Sequence, residues 1–316
     1  MNTIEFGDCR ETMRKWASQG VKAQTCVTSP PYYGLRDYGH EGQIGLEETP
    51  EEYIKAMVEV FRCVWDVLED DGTLWLNIGD SYYNYRPGKG QALVKQTVAN
   101  NNQDLPQTCA RRGNKLDGLK EKDLIGIPWM LAFALRADGW YLRQDIIWSK
   151  PNPMPESVQD RCTKSHEYIF LMSKSSKYYY DNESIKEKAI HAGEETSFNS
   201  PKKAMRNVDG NVSTGNEHPD ALPVKISELK NKRSVWTVNP KPYSGSHFAV
   251  FPTELIEPCI LAGAPLGGIV LDPFMGSGTT AQVAQDLGRQ YIGCELNPEY
   301  GKLQKKRTAQ TSLDFV

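Results

Sequence analysis

A short proline-containing segment of this 316-residue chain has the groups needed to hold a planar ring that carries an amino group. In the sequence Ser29-Pro30-Pro31-Tyr32, the Ser29 hydroxyl and the Pro30 carbonyl can each accept one N–H of such an amine. The flat ring of Tyr32 can stack on the substrate ring. Pro30 and Pro31 end the preceding strand and stiffen the backbone beyond it. An ordinary proline-rich turn with a surface tyrosine remains the alternative interpretation.

A glycine turn near the other end of the chain has the composition of a cofactor-binding loop. Residues 272–280 read Asp-Pro-Phe-Met-Gly-Ser-Gly-Thr-Thr, and the glycines would let a ligand approach the backbone closely. Phe274 and Met275 stand where a phosphate cradle needs small residues, which favours a cofactor without phosphate, such as S-adenosylmethionine. Glu295 ends the next predicted strand, where its carboxylate can accept hydrogen bonds from both hydroxyls of a ribose. A tight turn without a ligand is the alternative.

Both motifs are predicted to follow strands of an α/β fold. The strand 24–29 leads into the tetrapeptide, and a helix follows with Thr49 as its N-cap, Pro50 at its first position and Glu52 completing a capping box. We expect Gly72 to end this helix. Strands that alternate with helices imply a mostly parallel sheet covered on both faces. Further strands are predicted at 73–78, 142–148, 166–173, 268–271 and 291–294, and further helices from residue 127 and at 253–263 and 279–287.

Three regions follow from this alternation. Residues 1–180 form the half that carries the tetrapeptide, interrupted by a basic, polar insert at 85–122. Residues 181–235 are rich in Asn, Ser, Gly, Lys and Glu and have little apolar periodicity. Residues 236–316 return to strands and helices and carry the glycine turn. The chain length fits one large domain with an inserted module.

The composition excludes several classes of protein. The sequence has no run of about 18 apolar residues, so no membrane span is predicted, and the N-terminus does not resemble a signal peptide. Seven scattered cysteines without a Cys-x-x-Cys pair indicate a reducing compartment, which we expect to be the cytoplasm, and argue against a metal site. The net charge of -3 neither indicates nor excludes nucleic-acid binding, because a local basic cleft is enough to contact phosphates.

Together the two motifs resemble those of the β-class DNA amino-methyltransferases of bacteria and phages. Residues 29–32 match the family's catalytic (D/N/S)PP(Y/F) motif, and 272–279 match its DPFxGSGT cofactor motif, in the order typical of the β class. Residues 6–9 resemble the element near the cofactor's adenine, and 247–252 resemble the segment over its methionine end. Residues 142–151 and 163–173 resemble the strand pair behind the target pocket. The resemblance covers about two thirds of the chain.

The resemblance implies a Rossmann-like methyltransferase fold with a seven-stranded, mostly parallel sheet, an antiparallel last hairpin and a circularly rearranged motif order. Both motifs should then lie side by side at the carboxyl edge of the sheet. The expected catalytic residues are Ser29, Pro30, Pro31 and Tyr32. The expected S-adenosylmethionine-binding residues are Asp8, Asp272, Pro273, Phe274, Gly276, Gly278, Thr279, Glu295, Phe251 and Pro252.

The predicted reaction is direct methyl transfer to the exocyclic amine of a DNA base that has left the duplex. A serine at position 29 after Thr28 is more usual among the family's cytosine-N4 enzymes, so N4 of cytosine is favoured and N6 of adenine is the alternative. Pro258-Cys259 resembles the nucleophile dipeptide of cytosine-C5 enzymes, but it falls in an apolar helical pattern and is interpreted as core. A non-catalytic DNA-binding module and an RNA or protein methyltransferase are remote alternatives.

The predicted partner is double-stranded DNA, with no membrane, and the sequence leaves a cognate restriction nuclease and a homodimer open. Residues 181–235 lie where β-class enzymes carry their target-recognition segment. His166 could approach the target pocket or be structural, and Asp80 could contact substrate or cap a turn. Basic side chains can contact phosphates or guanine, although a solvated surface charge is the alternative for each. The candidates are Arg111, Arg112, Lys202, Lys203, Arg206, Lys232 and Arg233.

Overall fold

A large mixed sheet with helices on its faces dominates the described part of the chain. The computed structural model describes residues 1–35, 37, 39–83, 118–193, 195–196, 224–225, 227–240 and 251–309. The chain divides into one unit of Met1–Asp181 with Arg233–Val316 and a second unit of Asn182–Lys232. The two units are described separately.

The strands and helices have the following bounds. The strands are β1 (Asn2–Phe6), β2 (Ala23–Thr28), β3 (Leu68–Ile78), β4 (Tyr141–Ser149), β5 (His166–Ser173), β6 (Glu187–Lys188), β7 (Glu195–Thr196), β8 (Val224–Lys225), β9 (Leu229–Lys230), β10 (Val235–Thr237), β11 (Ile269–Asp272) and β12 (Gln290–Glu295). The helices are α1 (Cys9–Ser18), α2 (Pro50–Val67), α3 (Ile127–Ala137), α4 (Thr253–Gly263), α5 (Thr279–Asp286) and α6 (Gly301–Thr308), with a 3₁₀ turn at Pro298–Tyr300.

The main sheet has the strand order β1-β12-β11-β2-β3-β5-β4-β10. Strand β5 is antiparallel to both of its neighbours, and the other adjacent pairs are parallel. This confirms the predicted mostly parallel α/β sheet with an antiparallel hairpin. The sheet has eight strands rather than the expected seven, because β10 adds to β4 and buries Trp236 there. The N-terminal β1 pairs with β12, as the rearranged motif order implies.

The carboxyl edge of this sheet brings the two sequence motifs together. Strand β2 ends at Thr28, directly before the tetrapeptide, and its neighbour β11 ends at Asp272, where the glycine turn begins. Strands β1 and β12 end together, with Phe6 opposite Glu295. Parallel strands share one carboxyl edge, so residues that are far apart in sequence converge there.

Helix α2 shows how the sequence forms these layers. Thr49 and Glu52 form the predicted capping box, and the apolar stripe of the helix packs into the core. The helix ends at Val67, not at Gly72 as the sequence suggests. Leu68 already has an extended backbone (φ -77°, ψ 148°), is fully buried and pairs with Ala23 of β2. Sheet pairing therefore overrides the helical periodicity that continues to Leu68.

The second unit, Asn182–Lys232, contains two short antiparallel pairs. Strand β6 pairs with β9, and β7 pairs with β8. An ion pair joins Lys230 to Glu187 across the first of these pairs. The unit overlaps the predicted recognition segment 181–235, whose role in DNA binding stays a prediction. Four residues at the ends of that segment belong to the main unit: Asp181, Arg233, Ser234 and Val235, the last of which begins β10.

Several absences hold for the described residues. No disulfide joins the cysteines found there, and five of them are buried: Cys9, Cys26, Cys63, Cys259 and Cys294. No group of three or more His, Cys, Asp or Glu side chains in the described part of the chain is arranged to hold a metal ion. Within the same residues, no helix has both the length and the apolar character that crossing a membrane requires.

Candidate active site

The tetrapeptide leaves the carboxyl end of β2 and places Tyr32 against the end of β3. The phenol of Tyr32 donates a 2.7 Å hydrogen bond to Glu167 Oε2 of β5, and it lies 3.4 Å from Asn77 Oδ1. The ring passes directly over Gly79, where a Cβ atom would lie 2.7 Å from Tyr32 Cε2. Position 79 must therefore lack a side chain for the ring to lie there. The edge of the sheet thus fixes Tyr32 both through its hydroxyl and through its ring.

The protonation state of Tyr32 follows from this environment. Desolvation of the hydroxyl and the charge of Glu167 raise the pKa of Tyr32 well above its usual range, and a hydrogen bond with the Ser29 side chain lowers it in part. The phenol is therefore protonated at neutral pH. Because its proton is donated to Glu167, its oxygen can accept a hydrogen bond from Ser29.

A buried tyrosine of α2 holds the backbone of the tetrapeptide. The hydroxyl of Tyr53, whose side chain is fully buried, donates a 2.9 Å hydrogen bond to the Pro31 carbonyl. The carbonyl of Tyr32 accepts from the N–H of Leu35. Among the described residues, no donor is found on the Pro30 carbonyl. The Pro31 and Tyr32 carbonyls thus each accept a hydrogen bond from the protein, whereas the Pro30 carbonyl, which the sequence predicts to bind an amine, accepts none from the described residues.

Glu167 is itself held in a charged cluster. Its Oε1 pairs with Lys150 Nζ, and Asn77 Nδ2 lies 3.4 Å from its Oε2. The Lys150 ammonium also lies 4.1 Å from the centre of the Trp148 ring, a cation–π distance. Lys164, half-buried nearby, donates to the Asp80 carbonyl, and desolvation lowers the pKa of Lys164. These contacts leave the Glu167 carboxylate little freedom to move.

Asp272 joins the tetrapeptide strand to the glycine turn. It is 1% exposed, and its Oδ1 accepts from Thr28 Oγ1 at 2.6 Å and from the Phe274 N–H at 3.0 Å. Its Oδ2 accepts from Thr280 Oγ1 at 2.6 Å. Burial raises the pKa of Asp272 to about 6, although these hydrogen bonds oppose the shift. Protein groups therefore satisfy both oxygens of a residue that the sequence assigned to the cofactor.

The glycine turn is built against α6. Gly278 has a left-handed backbone (φ 89°), and a Cβ atom there would lie 3.3 Å from Gln304 Cα. The Gln304 amide donates to the Gly276 carbonyl at 2.8 Å, and Arg307 donates to Thr279 Oγ1 at 2.7 Å. The hydroxyl of Ser277 is buried without a hydrogen-bond partner. An unsatisfied buried hydroxyl in a tight glycine turn is the kind of group that a polar ligand would satisfy.

Met275 does not line the turn as the sequence suggests. It is 3% exposed, its N–H donates to the Cys294 carbonyl, and its side chain packs directly on Gly293 of β12. The residue belongs to the core because a long flexible side chain fills the space that Gly293 leaves. Phe274 remains half-buried beside the core cluster, and Pro273 connects it to β11.

Glu295 and Asp8 lie at the ends of the paired strands β12 and β1. Glu295 is 9% exposed, and its oxygens accept from the N–H groups of Gly276 at 2.7 Å and Asn297 at 2.8 Å. Burial raises the pKa of Glu295 to about 6. Asp8 caps α1 and forms an ion pair with Arg10, which lowers the pKa of Asp8. Each carboxylate is held in place. Each Glu295 oxygen keeps a lone pair for a further donor, whereas both Asp8 oxygens already accept two hydrogen bonds from Arg10.

Other predicted residues have simpler positions. Asp80 caps α3, since its Oδ1 accepts from the N–H groups of Gly126 and Ile127. His166 packs edge-on against the Tyr168 ring at 5.4 Å. Cys259 is 1% exposed inside α4, so its interpretation as a core residue is confirmed.

The remaining cofactor and DNA candidates fall into three groups. Pro252 is buried as the N-cap of α4, and Phe251 before it is half-buried. Lys232 is half-buried and Arg233 is exposed, with the Arg233 carbonyl accepting from Trp236 Nε1. The other basic candidates lie outside the described residues: Arg111, Arg112, Lys202, Lys203 and Arg206.

Three residues of the site were not predicted. Tyr53 belongs to the apolar stripe of α2, so the sequence gives it no sign of a role in the site. It holds the tetrapeptide because its hydroxyl binds the Pro31 carbonyl, 22 positions away. The sequence did not predict Lys150 and Glu167 as site residues. Lys150 follows the end of β4, and Glu167 lies at the start of β5. A charged pair at the carboxyl edge of a sheet beside a candidate motif was the available signal.

Comparisons with known proteins agree on one family. The family model described as DNA methylase (N6_N4_Mtase) matches residues 23–306. The Type II methyltransferase M.SmaI of Serratia marcescens is 49% identical over 307 residues, which cover 96% of this chain and 89% of that protein. The Type II methyltransferase M.Cfr9I of Citrobacter freundii is 47% identical over 298 residues, which cover 94% of this chain and 84% of that protein.

Solved structures share the fold. The cytosine-N4-specific PvuII DNA methyltransferase aligns with a TM-score of 0.62 at 16% identity, covering 99% of this chain and 88% of that one. A putative DNA modification methylase of Thermus thermophilus, solved with S-adenosyl-L-methionine, aligns with a TM-score of 0.59 at 22% identity. That alignment covers 100% of this chain and 96% of the other.

Proposed function

The chain belongs to the N6_N4_Mtase family of DNA methylases, whose members transfer a methyl group from S-adenosylmethionine to an amino group of a base, and we propose that its target is N4 of cytosine in double-stranded DNA. The observation that carries this proposal is the arrangement at the end of β2. Ser29 and Pro30 directly follow β2 and precede Tyr32, whose hydroxyl is bound to Glu167 and whose ring lies over Gly79 at the edge of the sheet.

The turn at the end of β11 fits the cofactor. The buried, unsatisfied Ser277 hydroxyl and the glycine backbone at 276 and 278 suit the polar methionine end of S-adenosylmethionine. Glu295 keeps lone pairs for the ribose hydroxyls, and Asp8 is placed at the end of the neighbouring strand. When bound, the cofactor supplies an electrophilic methyl group. Asp272 and Thr279, whose polar atoms have protein partners, would hold the shape of this turn.

The tetrapeptide would hold the base and prepare its amine. Two acceptors, Ser29 Oγ and the Pro30 carbonyl, bind the two amine N–H groups and favour a pyramidal nitrogen whose lone pair is localised. Tyr32 offers its ring face, because its hydroxyl is already engaged with Glu167. The base has to leave the duplex to enter this site. Most of the rate enhancement then comes from positioning.

Cytosine is favoured over adenine on the type of residue at position 29. Serine is the more usual residue among cytosine-N4 enzymes of the family, whereas adenine-N6 enzymes more often carry Asp. The PvuII methyltransferase, which shares this fold, is described as cytosine-N4-specific, which agrees with this choice. Adenine N6 is the second candidate, since both amines require the same two acceptors.

The proposed DNA contacts are the basic residues of the insert 85–122 and of the segment 181–235. Of the seven basic residues named above as DNA candidates, Lys232 and Arg233 lie within the described residues. The relatives are named as Type II methyltransferases, which supports a role in restriction–modification, with a cognate nuclease as partner. We keep the homodimer as a proposal that sedimentation of the free and DNA-bound protein would test.

The deciding experiment is methyl transfer to unmethylated DNA, followed by digestion to nucleosides and mass spectrometry. N4-methylcytosine is the expected product. N6-methyladenine would show that the family activity is present but that the assignment of the base is wrong. If labelled methyl groups enter no DNA while the protein binds S-adenosylmethionine, the DNA substrate itself is wrong, and RNA and protein become the next substrates to assay.

A further inference from the structure

Met154 is the most exposed of the large apolar side chains in the described part of the chain, at 86%. Leu266 and Ile190 follow at 78% and 73%. Contact between an apolar side chain and water costs free energy, which burial against a partner would recover. Single exposed apolar residues are nevertheless common on protein surfaces. The exposure of Met154 therefore gains meaning only from the position and the composition of the segment that carries it.

This methionine lies in the β4–β5 loop, residues 150–165, at the carboxyl edge of the sheet. The N–H of Lys150 donates to the Ser165 carbonyl at 2.8 Å and closes the base of the loop. The Lys150 ammonium pairs with Glu167, and Glu167 accepts from the Tyr32 hydroxyl. The first arm of the loop therefore starts two contacts away from the ring that is proposed to stack on the base.

The second arm of the loop is anchored near the same ring. Lys164 Nζ donates to the Asp80 carbonyl at 3.2 Å, directly after the glycine that lies under the Tyr32 ring. Within the loop, Glu156 Oε2 accepts from Arg161 at 2.7 Å and from the Lys164 N–H at 3.2 Å. Both arms are therefore fixed beside the proposed site for the base, and the tip between them carries the exposed methionine.

The tip of the loop, residues 151–155, reads Pro-Asn-Pro-Met-Pro. Its three prolines restrict the backbone, so the tip loses little conformational entropy when a partner covers it. The tip has no charged side chain and so lacks the cations that bind phosphates. A methionine side chain is unbranched, and its polarisable sulfur makes favourable contacts with aromatic rings. This chemistry fits the inside of a base stack better than the phosphate backbone of DNA.

We infer that Met154 enters the duplex when the target base leaves it and fills the gap in the base stack. The inference rests on the proposed function, because it assumes a base that rotates out of double-stranded DNA towards residues 29–32. Methionine is among the side chains that proteins insert between base steps as apolar wedges. Met154 is four positions after Lys150, so their Cα atoms are at most about 14 Å apart. The wedge and the site for the base therefore act on the same few base pairs.

The filled gap favours the state in which the base is out of the stack. Unpairing and unstacking the target base costs free energy, and the cost is smaller for a base that is already mismatched. The inserted Met154 side chain replaces part of the stacking that the neighbouring bases lose, and it blocks the return of the target base. Its effect on methyl transfer should therefore be large for a paired target base and small for a mismatched one.

The test measures single-turnover methyl transfer from S-adenosylmethionine by the wild type, M154A and M154L. One duplex contains the target base, mapped by the transfer assay, in its normal pair, and a second duplex contains the same base in a mismatch. We expect M154A to lose about 30-fold in rate constant on the paired duplex and less than about 3-fold on the mismatched one. M154L keeps an apolar wedge and should stay within about 3-fold of the wild type on both. Substitutions at so exposed a position should leave the fold intact, which urea unfolding checks.

Leu266 provides the matched control. It is apolar and 78% exposed, but it precedes β11 at the opposite edge of the sheet, so L266A should transfer methyl groups at the wild-type rate on both duplexes. A wild-type rate for M154A on the paired duplex would overturn the wedge. Equal losses on the two duplexes would also overturn it, because the role of Met154 would then be unrelated to unpairing. If the wild type itself transfers no methyl group to DNA, the proposed function fails, and the wedge fails with it.

Discussion

The hydroxyl of Thr28 donates a 2.6 Å hydrogen bond to the buried carboxylate of Asp272, although 244 positions separate the two residues in sequence. Thr28 directly precedes Ser29, and Asp272 begins the glycine turn. A second hydrogen bond from Thr280 completes the bridge on the other carboxylate oxygen. The segment proposed to hold the base and the turn proposed to hold the cofactor are therefore fixed to each other through one side chain.

This bridge predicts an unusual dependence of stability on pH. Burial raises the pKa of Asp272 from 3.8 to about 6, so between these values the folded protein binds more protons at this site than the unfolded chain does. Its contribution to stability is therefore present at low pH and is lost as the pH rises through 6. The full difference corresponds to about 3 kcal/mol of unfolding free energy.

Asp272→Asn removes this titration while keeping a side chain that can accept from Thr28. We expect the wild type to gain stability relative to this variant when the pH is lowered from 7.5 to 4. Urea unfolding of both proteins at the two pH values measures the difference. An identical difference at both pH values would mean that Asp272 titrates as an ordinary carboxyl group.

Ser29→Ala should slow methyl transfer by about 100-fold, because it removes one of the two acceptors that prepare the amine. Binding of S-adenosylmethionine should not change, since the cofactor turn is built from β11 and α5. Ser165→Ala, before β5, is the control and should keep the wild-type rate. Wild-type transfer by Ser29→Ala would remove this residue from the mechanism.

Tyr53→Phe should reduce both activity and stability. The change leaves the Pro31 carbonyl without the donor that fixes the tetrapeptide backbone, at a cost of about 1 kcal/mol in unfolding free energy. We expect the rate of methyl transfer to fall about 10-fold, since about 1.4 kcal/mol in the barrier corresponds to that factor. Tyr33→Phe, which removes a more exposed bond to the Glu48 carbonyl, is the matched control. Equal effects of the two variants would argue against a special role for Tyr53.

Gly278→Ala should weaken cofactor binding as well as stability. Its left-handed backbone costs an L-residue about 1–2 kcal/mol, and the new Cβ would crowd Gln304 and shift the turn. Gly267→Ala provides the comparison, because Gly267 is also left-handed (φ 75°) but has open space around it. Calorimetry with S-adenosylmethionine should show a loss of affinity in the first variant alone. Retained affinity in Gly278→Ala would place the cofactor away from this turn.

Cys259→Ala should keep its methyl-transfer activity. The thiol is buried inside α4 and contacts the Leu255 carbonyl of the same helix at 3.7 Å, so the expected cost is about 1 kcal/mol of stability. Cys162→Ala, at an exposed position, should change neither property. A folded Cys259→Ala protein without activity would point to cysteine chemistry and overturn the direct-transfer mechanism.

Local sequence signals predicted much of the fold, and they failed where tertiary pairing decides. The strand His166–Ser173 and the helix Thr253–Gly263 have the bounds expected from periodicity and capping. Strand β10 was not predicted, because its three residues have no apolar pattern on either side. They form a strand because they pair with the edge of β4. Leu68 continues a helical stripe in sequence but pairs with Ala23 in the structure. Such pairings depend on residues that are distant in sequence.

The candidate site shows the same division. Its motifs could be read from residue types and spacing, because prolines and glycines impose local geometry wherever they occur. The partners of those motifs could not. A hydroxyl such as that of Tyr53 and a carboxylate such as that of Glu167 gain their roles from a contact made across the sheet. Periodicity places such residues on a face or at an edge, but it does not say which atom they will meet.

The pairing of β1 with β12 also sets an order of events during synthesis on the ribosome. Strand β1 is synthesised long before β12, yet β12 is the strand that it pairs with among the described residues. Strand β2, which leads into the tetrapeptide, likewise cannot pair with β11 until β11 has been synthesised. Contacts of such high sequence separation form late. A nascent chain therefore displays the half proposed to hold the base long before the turn proposed to bind the methyl donor is complete, and we expect activity only once translation has passed β12.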